Sequence, residues 1–210
     1  MAEEQRWISV VATGEATVAP DLAIVSFAVS GSGKQLAATR DDVNKRSSSV
    51  LGKLRELGLA DGDLNAPDVG IHPEYDYRKG QRLTGYRVVR QMTAKVRDLD
   101  RLGDILDGLV AAGANEVQGA QMSASDPSAA EREALRSAIT GARAKAEALA
   151  EAGGVTIAGL ARVEEEPGHG PPMPRMQMMA AGAMAEDART EVAAGDLTVT
   201  RQVRAWFEIE

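Results

Sequence analysis

The chain has 210 residues, with 24 basic against 31 acidic side chains and a formal net charge of −7. It contains no cysteine, which excludes disulfides, thiolate metal sites and a cysteine nucleophile. The acidic balance, with no Lys/Arg stripe interleaved with aromatics, argues against a nucleic-acid partner, and no apolar run nears the roughly 20 residues that a membrane span needs.

Taken in chain order, Trp7 to Thr13 and Ala16 to Ser30 are rich in Val, Ile, Ser and Thr, and Gly14-Glu15 between them predicts a hairpin turn. Pro20-Asp21 interrupts the second run, which suggests an edge or a bulge there. From Lys34 to Leu57 the period changes: Val43, Val50, Leu54 and Leu57 recur at helical spacing and Gly58 follows as the stop. Val69, Ile71, Pro73, Tyr75 and Tyr77 then alternate with Gly70, His72, Glu74, Asp76 and Arg78. A turn at Lys79-Gly80-Gln81 leads into Tyr86, Val88, Met92, Ala94 and Val96 at the same period of two. This pattern predicts a long antiparallel hairpin with one buried face, its first strand an edge because of Pro73.

Leu99, Leu102, Ile105, Leu106, Leu109 and Val110 predict a second amphipathic helix closed by Gly113, and a short strand follows at Glu116 to Ser123. Asp126 before Pro127 reads as an N-cap with proline in the first turn, and Ser128 with Glu131 adds a further start signal. The third helix is expected to run to about Ala152, with Leu135, Ala138, Ala142, Ala146 and Leu149 on one face and Gly153-Gly154 as its end. A strand is expected at Leu160 to Glu164, and a last long one from Gly195, with Leu197, Val199, Val203, Ala205, Phe207 and Ile209 on one side. Between them a Pro/Met/Ala-rich tract at about 166–194 reads as a mobile loop. The order ββαββαβαββ, dominated by hairpins, predicts an α+β fold with a largely antiparallel sheet, arranged as a single domain over 1–210.

The candidate chemistry is sparse. Gly31-Ser32-Gly33-Lys34-Gln35 lies between a strand and a helix, where a phosphate-binding loop would lie. That loop needs a glycine six positions before the lysine and a hydroxyl residue after it, and here Ala28 and Gln35 stand in those places. His72, Glu74 and Asp76 share a strand face, but neighbours on one face are about 7 Å apart, too far for one strand to close a metal shell. A solvated polar face is the simpler reading. No Gly-x-Ser-x-Gly elbow is present, and His72 has no evident serine partner, so catalytic residues are not predicted, and no cofactor either. The sharpest local excess is methionine: Met173, Met176, Met178, Met179 and Met184, five of the eight, fall within twelve residues. With His169 upstream, His169, Met173, Met176, Met178 and Met179 form a conceivable soft-metal set for Cu(I) or an oxidant sink. A pliable packing segment is the alternative.

The start, Met1-Ala2-Glu3-Glu4-Gln5-Arg6-Trp7, carries acid where a secretion signal carries base, so the sequence as written predicts a cytoplasmic protein. If a signal has been removed from the chain, the expectation is periplasmic.

As a whole the pattern resembles the SIMPL-domain family, which includes bacterial oxidative-stress-defence and periplasmic immunogenic proteins. The resemblance rests on Gly14-Glu15-Ala16-Thr17-Val18-Ala19-Pro20-Asp21-Leu22-Ala23, Asp68-Val69-Gly70-Ile71-His72-Pro73-Glu74-Tyr75 and Gly85-Tyr86-Arg87-Val88. It continues through Leu106-Asp107 to Gly113-Ala114-Asn115, the Ala-rich run ending at Ala150, Gly153-Gly154, the Pro/Met-rich tract and the last strand. It implies an α+β fold, no established active site, homo-oligomers that in some members are ring-like or channel-like, and a loose link to stress defence. The resulting expectation is a non-enzymatic, oligomer-forming scaffold or interaction protein.

Overall fold

The computed structural model describes residues 6–67, 69–78, 80–166 and 195–210, and the backbone of 173–174. Two-residue strands aside, the described elements follow the predicted order: β1 (Trp7–Val18), β2 (Leu22–Gly33), α1 (Leu36–Glu56), β3 (Leu64–Asn65), β4 (Gly70–Asp76), β5 (Arg82–Val96), α2 (Leu102–Ala111), β6 (Glu116–Ser123), α3 (Ser128–Gly153), β7 (Ile157–Glu165), β8 (Met173–Pro174) and β9 (Leu197–Ile209). All named strand pairs are antiparallel, and the fold is α+β. Gly58, Gly113 and Gly154, the predicted helix stops, all have positive φ, which removes the steric cost that a side chain would add.

The chain divides into two compact units. The first takes β1, α3, β7, β8 and β9. Its sheet has the order β1-β9-β7, with β8 also on β9, so the C-terminal strand is central. Val10, Ala12, Val203, Ala205 and Phe207 from the sheet meet Ala138, Ala142 and Ala146 from α3. The buried line on α3 is six alanines four apart: Ala130, Ala134, Ala138, Ala142, Ala146 and Ala150. Leu149, expected on that face, is instead 52% exposed. The reason is the closeness of the layers. A Cβ at Gly14 would collide with the Ala134 carbonyl oxygen and the Ala138 nitrogen and stand 2.9 Å from Ala138 Cα, so the helix backbone lies on the strand with no room for a leucine.

The second unit spans Asp21–Ser123 among the described residues. Its sheet has the order β3-β5-β2-β6, with β4 also on β5. Val25, Phe27 and Val29 of β2 are buried, as are Val88, Met92, Ala94 and Val96 of β5. The helices contribute Val43, Val50 and Leu54 from α1 and Leu102, Ile105 and Leu109 from α2.

Two further sequence expectations are corrected. β1 and β2 do not form a hairpin: β1 runs through Gly14-Glu15 to Val18 and pairs with β9, whereas β2 pairs with β5 and β6. Glycine at 14 serves close packing, not a turn. The β4–β5 hairpin is present, but the alternating residues of β4 are not buried on either side. α3 begins at Ser128, one residue after the predicted proline, while the Asp126 carboxylate accepts the Ser128 N–H at 3.0 Å as the predicted cap would. Hydrogen bonds from Ser128 hold the Asp126 carboxyl below the usual aspartate range.

Candidate functional site

The β4–β5 hairpin carries the second unit's most distinctive surface. β4 pairs only with β5 among the described residues, so its outer backbone edge is open. Pro73 suits that position because it has no N–H to leave unpaired. Ile71 and Leu83 are each 43% exposed, and Tyr77, just past β4, is 70% exposed. The Tyr75 and Tyr77 rings stand 6.2 Å apart. Period-two alternation was legible in the sequence; that no described residue of the second unit covers these apolar side chains was not.

On the polar side of the hairpin, a groove of about 570 Å³ is lined by Pro67, Gly70, His72, Arg87, Val89, Gln91 and Glu116. Its fixed corner is Glu116 at the start of β6. One carboxylate oxygen, Oε1, accepts hydrogen bonds from Ser30 Oγ and Arg87 Nη2, both at 2.7 Å. The Ser30 hydrogen bond first, then Arg87, hold the Glu116 carboxyl below its ordinary range. Ser30 is itself fixed from two sides. Its N–H donates to Asn115 Oδ1 at 2.8 Å, and its carbonyl accepts from Asn115 Nδ2 at 3.0 Å and from Arg46 Nη2 of α1 at 2.8 Å. Sequence reading singled out none of these contacts, which join residues up to 86 positions apart. Only the Asp42–Arg46 spacing, an i,i+4 ion pair at 2.9 Å, had a local signal.

The predicted candidates are dispersed. His72 faces the groove, with its Nε2 3.3 Å from where a Cβ on Gly70 would stand. Glu74 accepts Ser32 Oγ at 3.0 Å, and Asp76 accepts the Arg78 N–H at 2.9 Å. Among the described residues, no three His, Asp or Glu side chains gather as a metal set. Lys34 lies in the two-residue step from β2 to α1, and Thr39 Oγ1 donates to the Gln35 carbonyl at 3.0 Å in the first turn. Of the methionine set, Met173 is described in its backbone alone, opposite Thr198 on β9. His169, Met176, Met178, Met179 and Met184 lie outside the described residues.

Comparison with known proteins gives a match of residues 8–207 to SIMPL, a family described as protein of unknown function (DUF541). The "Uncharacterized protein YggE" of Edwardsiella ictaluri (strain 93-146) is 33% identical over 180 residues, covering 84% of this chain and 75% of the relative. The "26 kDa periplasmic immunogenic protein" of Brucella melitensis biotype 1 is 32% identical over 218 aligned positions, covering 100% of this chain and 87% of the relative. The YggE of Escherichia coli (strain K12) is 28% identical over 204, covering 96% and 83%.

Proposed function

The chain belongs to the SIMPL family, and from that premise we propose that it acts by association and not by catalysis, joining copies of itself through the β4–β5 hairpin. The observation that carries this reading is the open backbone edge of β4 together with exposed Ile71 and Tyr75 on that strand, Tyr77 just past it and Leu83 opposite Tyr75 on β5. An edge of this kind is a template for another strand, and apolar and aromatic side chains beside it lose water when a second copy docks. A two-fold arrangement would use the same surface from both partners.

Light scattering coupled to size exclusion tests this at micromolar concentration. The protein is expected as a discrete multimer, and an Ile71→Lys, Tyr77→Glu variant as a folded species of lower mass. A strictly monomeric parent, or a variant that keeps the parent's mass, defeats the reading. No helix among the described residues is long and apolar enough to cross a membrane. The Brucella relatives are named periplasmic; we extend that compartment to this chain, and osmotic-shock fractionation of cells making the native protein reads it directly.

A further inference from the structure

The first unit has an open strand edge that complements the hairpin. The Ile209 N–H donates to the Arg6 carbonyl at 3.2 Å, which makes Trp7–Glu208 a pair without hydrogen bonds of its own. Such pairs alternate with bonded ones, and the β1–β9 register is unbroken to Val18. Even-numbered residues of β1 therefore turn their N–H and C=O to β9. Odd-numbered residues from Trp7 to Thr17 turn theirs away, and none of them is proline. Among the described residues β1 pairs with β9 alone. One outward carbonyl is served from within the unit: Lys145 Nζ reaches from α3 to the Val11 oxygen at 2.9 Å.

The layers decide which strand can lie along this edge. α3 sits directly on β1, with Val10 and Ala12 packed against its alanines and its backbone in contact at Gly14. Strands pair about 4.8 Å apart whereas helices pack about 8–10 Å apart, so a second β1 carrying its own α3 does not fit. β4 has no buried residue and bears no such layer among the described residues. The Glu74 carbonyl accepts Thr84 Oγ1 of β5 at 2.9 Å, so Glu74 turns its backbone to β5, and Ile71, Pro73 and Tyr75 turn theirs outward. Pairing the full length of β4 with its own copy would set Pro73 against Pro73, neither having an N–H to give.

Resting on the hairpin reading, we propose that β4 of one copy adds to the outer edge of β1 in a second copy, antiparallel, with Pro73 opposite Val11. In that register the one residue of β4 without an N–H meets the one outward carbonyl that Lys145 already serves. Ile71 falls opposite Thr13, Tyr75 opposite Ser9, and Tyr77 beside Trp7, which is 51% exposed. These side chains lie on the face away from α3, because Val10 and Ala12 point toward it. Glu74 enters on the α3 side, near the opposite charge of Lys145. The contact is head-to-tail and takes a different surface from each partner.

Light scattering coupled to size exclusion, on full-chain variants, tests the pairing. Thr13→Pro removes an outward N–H and spares the β1–β9 ladder, so a folded species of lower mass than the parent is expected. This variant keeps a working hairpin, and Ile71→Lys, Tyr77→Glu keeps a working β1 edge. Mixed in equal amounts, the two should form a complex of one copy each that neither forms alone. Lys145→Met leaves the Val11 carbonyl without a donor and should weaken association several-fold, and Pro73→Ala in the same chain supplies an N–H and should restore it. That pair decides the matter if Thr13→Pro does not fold. Thr13→Pro at the parent's mass, a mixture that stays unassociated, or Lys145→Met that matches the parent or is not rescued overturns the head-to-tail pairing. The hairpin reading survives those results if Ile71→Lys, Tyr77→Glu lowers the mass; a strictly monomeric parent overturns both.

Discussion

Glu116 shows how one residue ties three strands and a helix together. Ser30 of β2 and Arg87 of β5 both donate to it, and Arg46 of α1 reaches the Ser30 carbonyl. Those donors favour the ionised carboxylate in the folded chain, which holds its pKa below the ordinary 4.5. The stabilisation it supplies is therefore fully present above 4.5 and is lost as pH falls through the lowered folded value. Urea denaturation from about pH 6 down to about pH 3 should show Glu116→Gln less stable than the parent at the upper end, the gap closing toward the lower. The effect is expected to stay under about 1 kcal/mol, since the partners are partly exposed. A gap that holds constant with pH would place the carboxylate's contribution elsewhere. None of this was legible beforehand, because a polar side chain between strands carries no periodic mark; only the fold makes Ser30 and Glu116 neighbours.

At the scale of elements, what repeats along the chain was readable and what depends on a partner was not. The helices announced themselves through period and through the glycines that end them, and β4 and β5 through alternation and the turn at Gly80. The partner of β1 did not, because its ladder joins Trp7 to Glu208 and Val18 to Leu197, contacts that no local pattern encodes. Strand-forming runs on either side of a glycine favoured a hairpin, but Gly14 was glycine for the sake of α3. The same close approach explains why the alanine line on α3, and not Leu149, faces the sheet. Gly14→Ala should accordingly lower unfolding free energy by about 1–3 kcal/mol, read by urea denaturation, because the new methyl meets helix backbone that cannot turn aside. Ala at Gly52, where nothing stands within 4 Å of the added carbon, is the control that should be neutral or slightly stabilising. Equal effects at the two positions would mean that α3 yields easily and that its seat on β1 is looser than the geometry implies.

For the molecule as a whole, the order of strands separates what is contiguous from what is not. Among the described residues, every strand partner and core helix of the second unit falls between Asp21 and Ser123. The ends of that segment are side by side, with the Asp21 N–H donating to the Ser123 carbonyl at 3.2 Å and Leu22 in register with Ser123. The first unit is the opposite case: its sheet needs β1 from one end of the chain and β9 from the other, with β9 between its neighbours. Residues 21–123 made alone should therefore unfold cooperatively in urea, with a smaller m value than the full chain in proportion to the smaller surface exposed. A chain ending before Leu197 should lose amide protection across β1 and α3 while β2 and β5 keep theirs, since it lacks the strand on which β1 and β7 both depend. Non-cooperative melting of 21–123, or loss of β2 and β5 protection in the truncated chain, would show that the second unit's core draws its stability from outside its own segment. Cooperative melting would instead make 21–123 a piece in which the hairpin edge can be measured without the other unit.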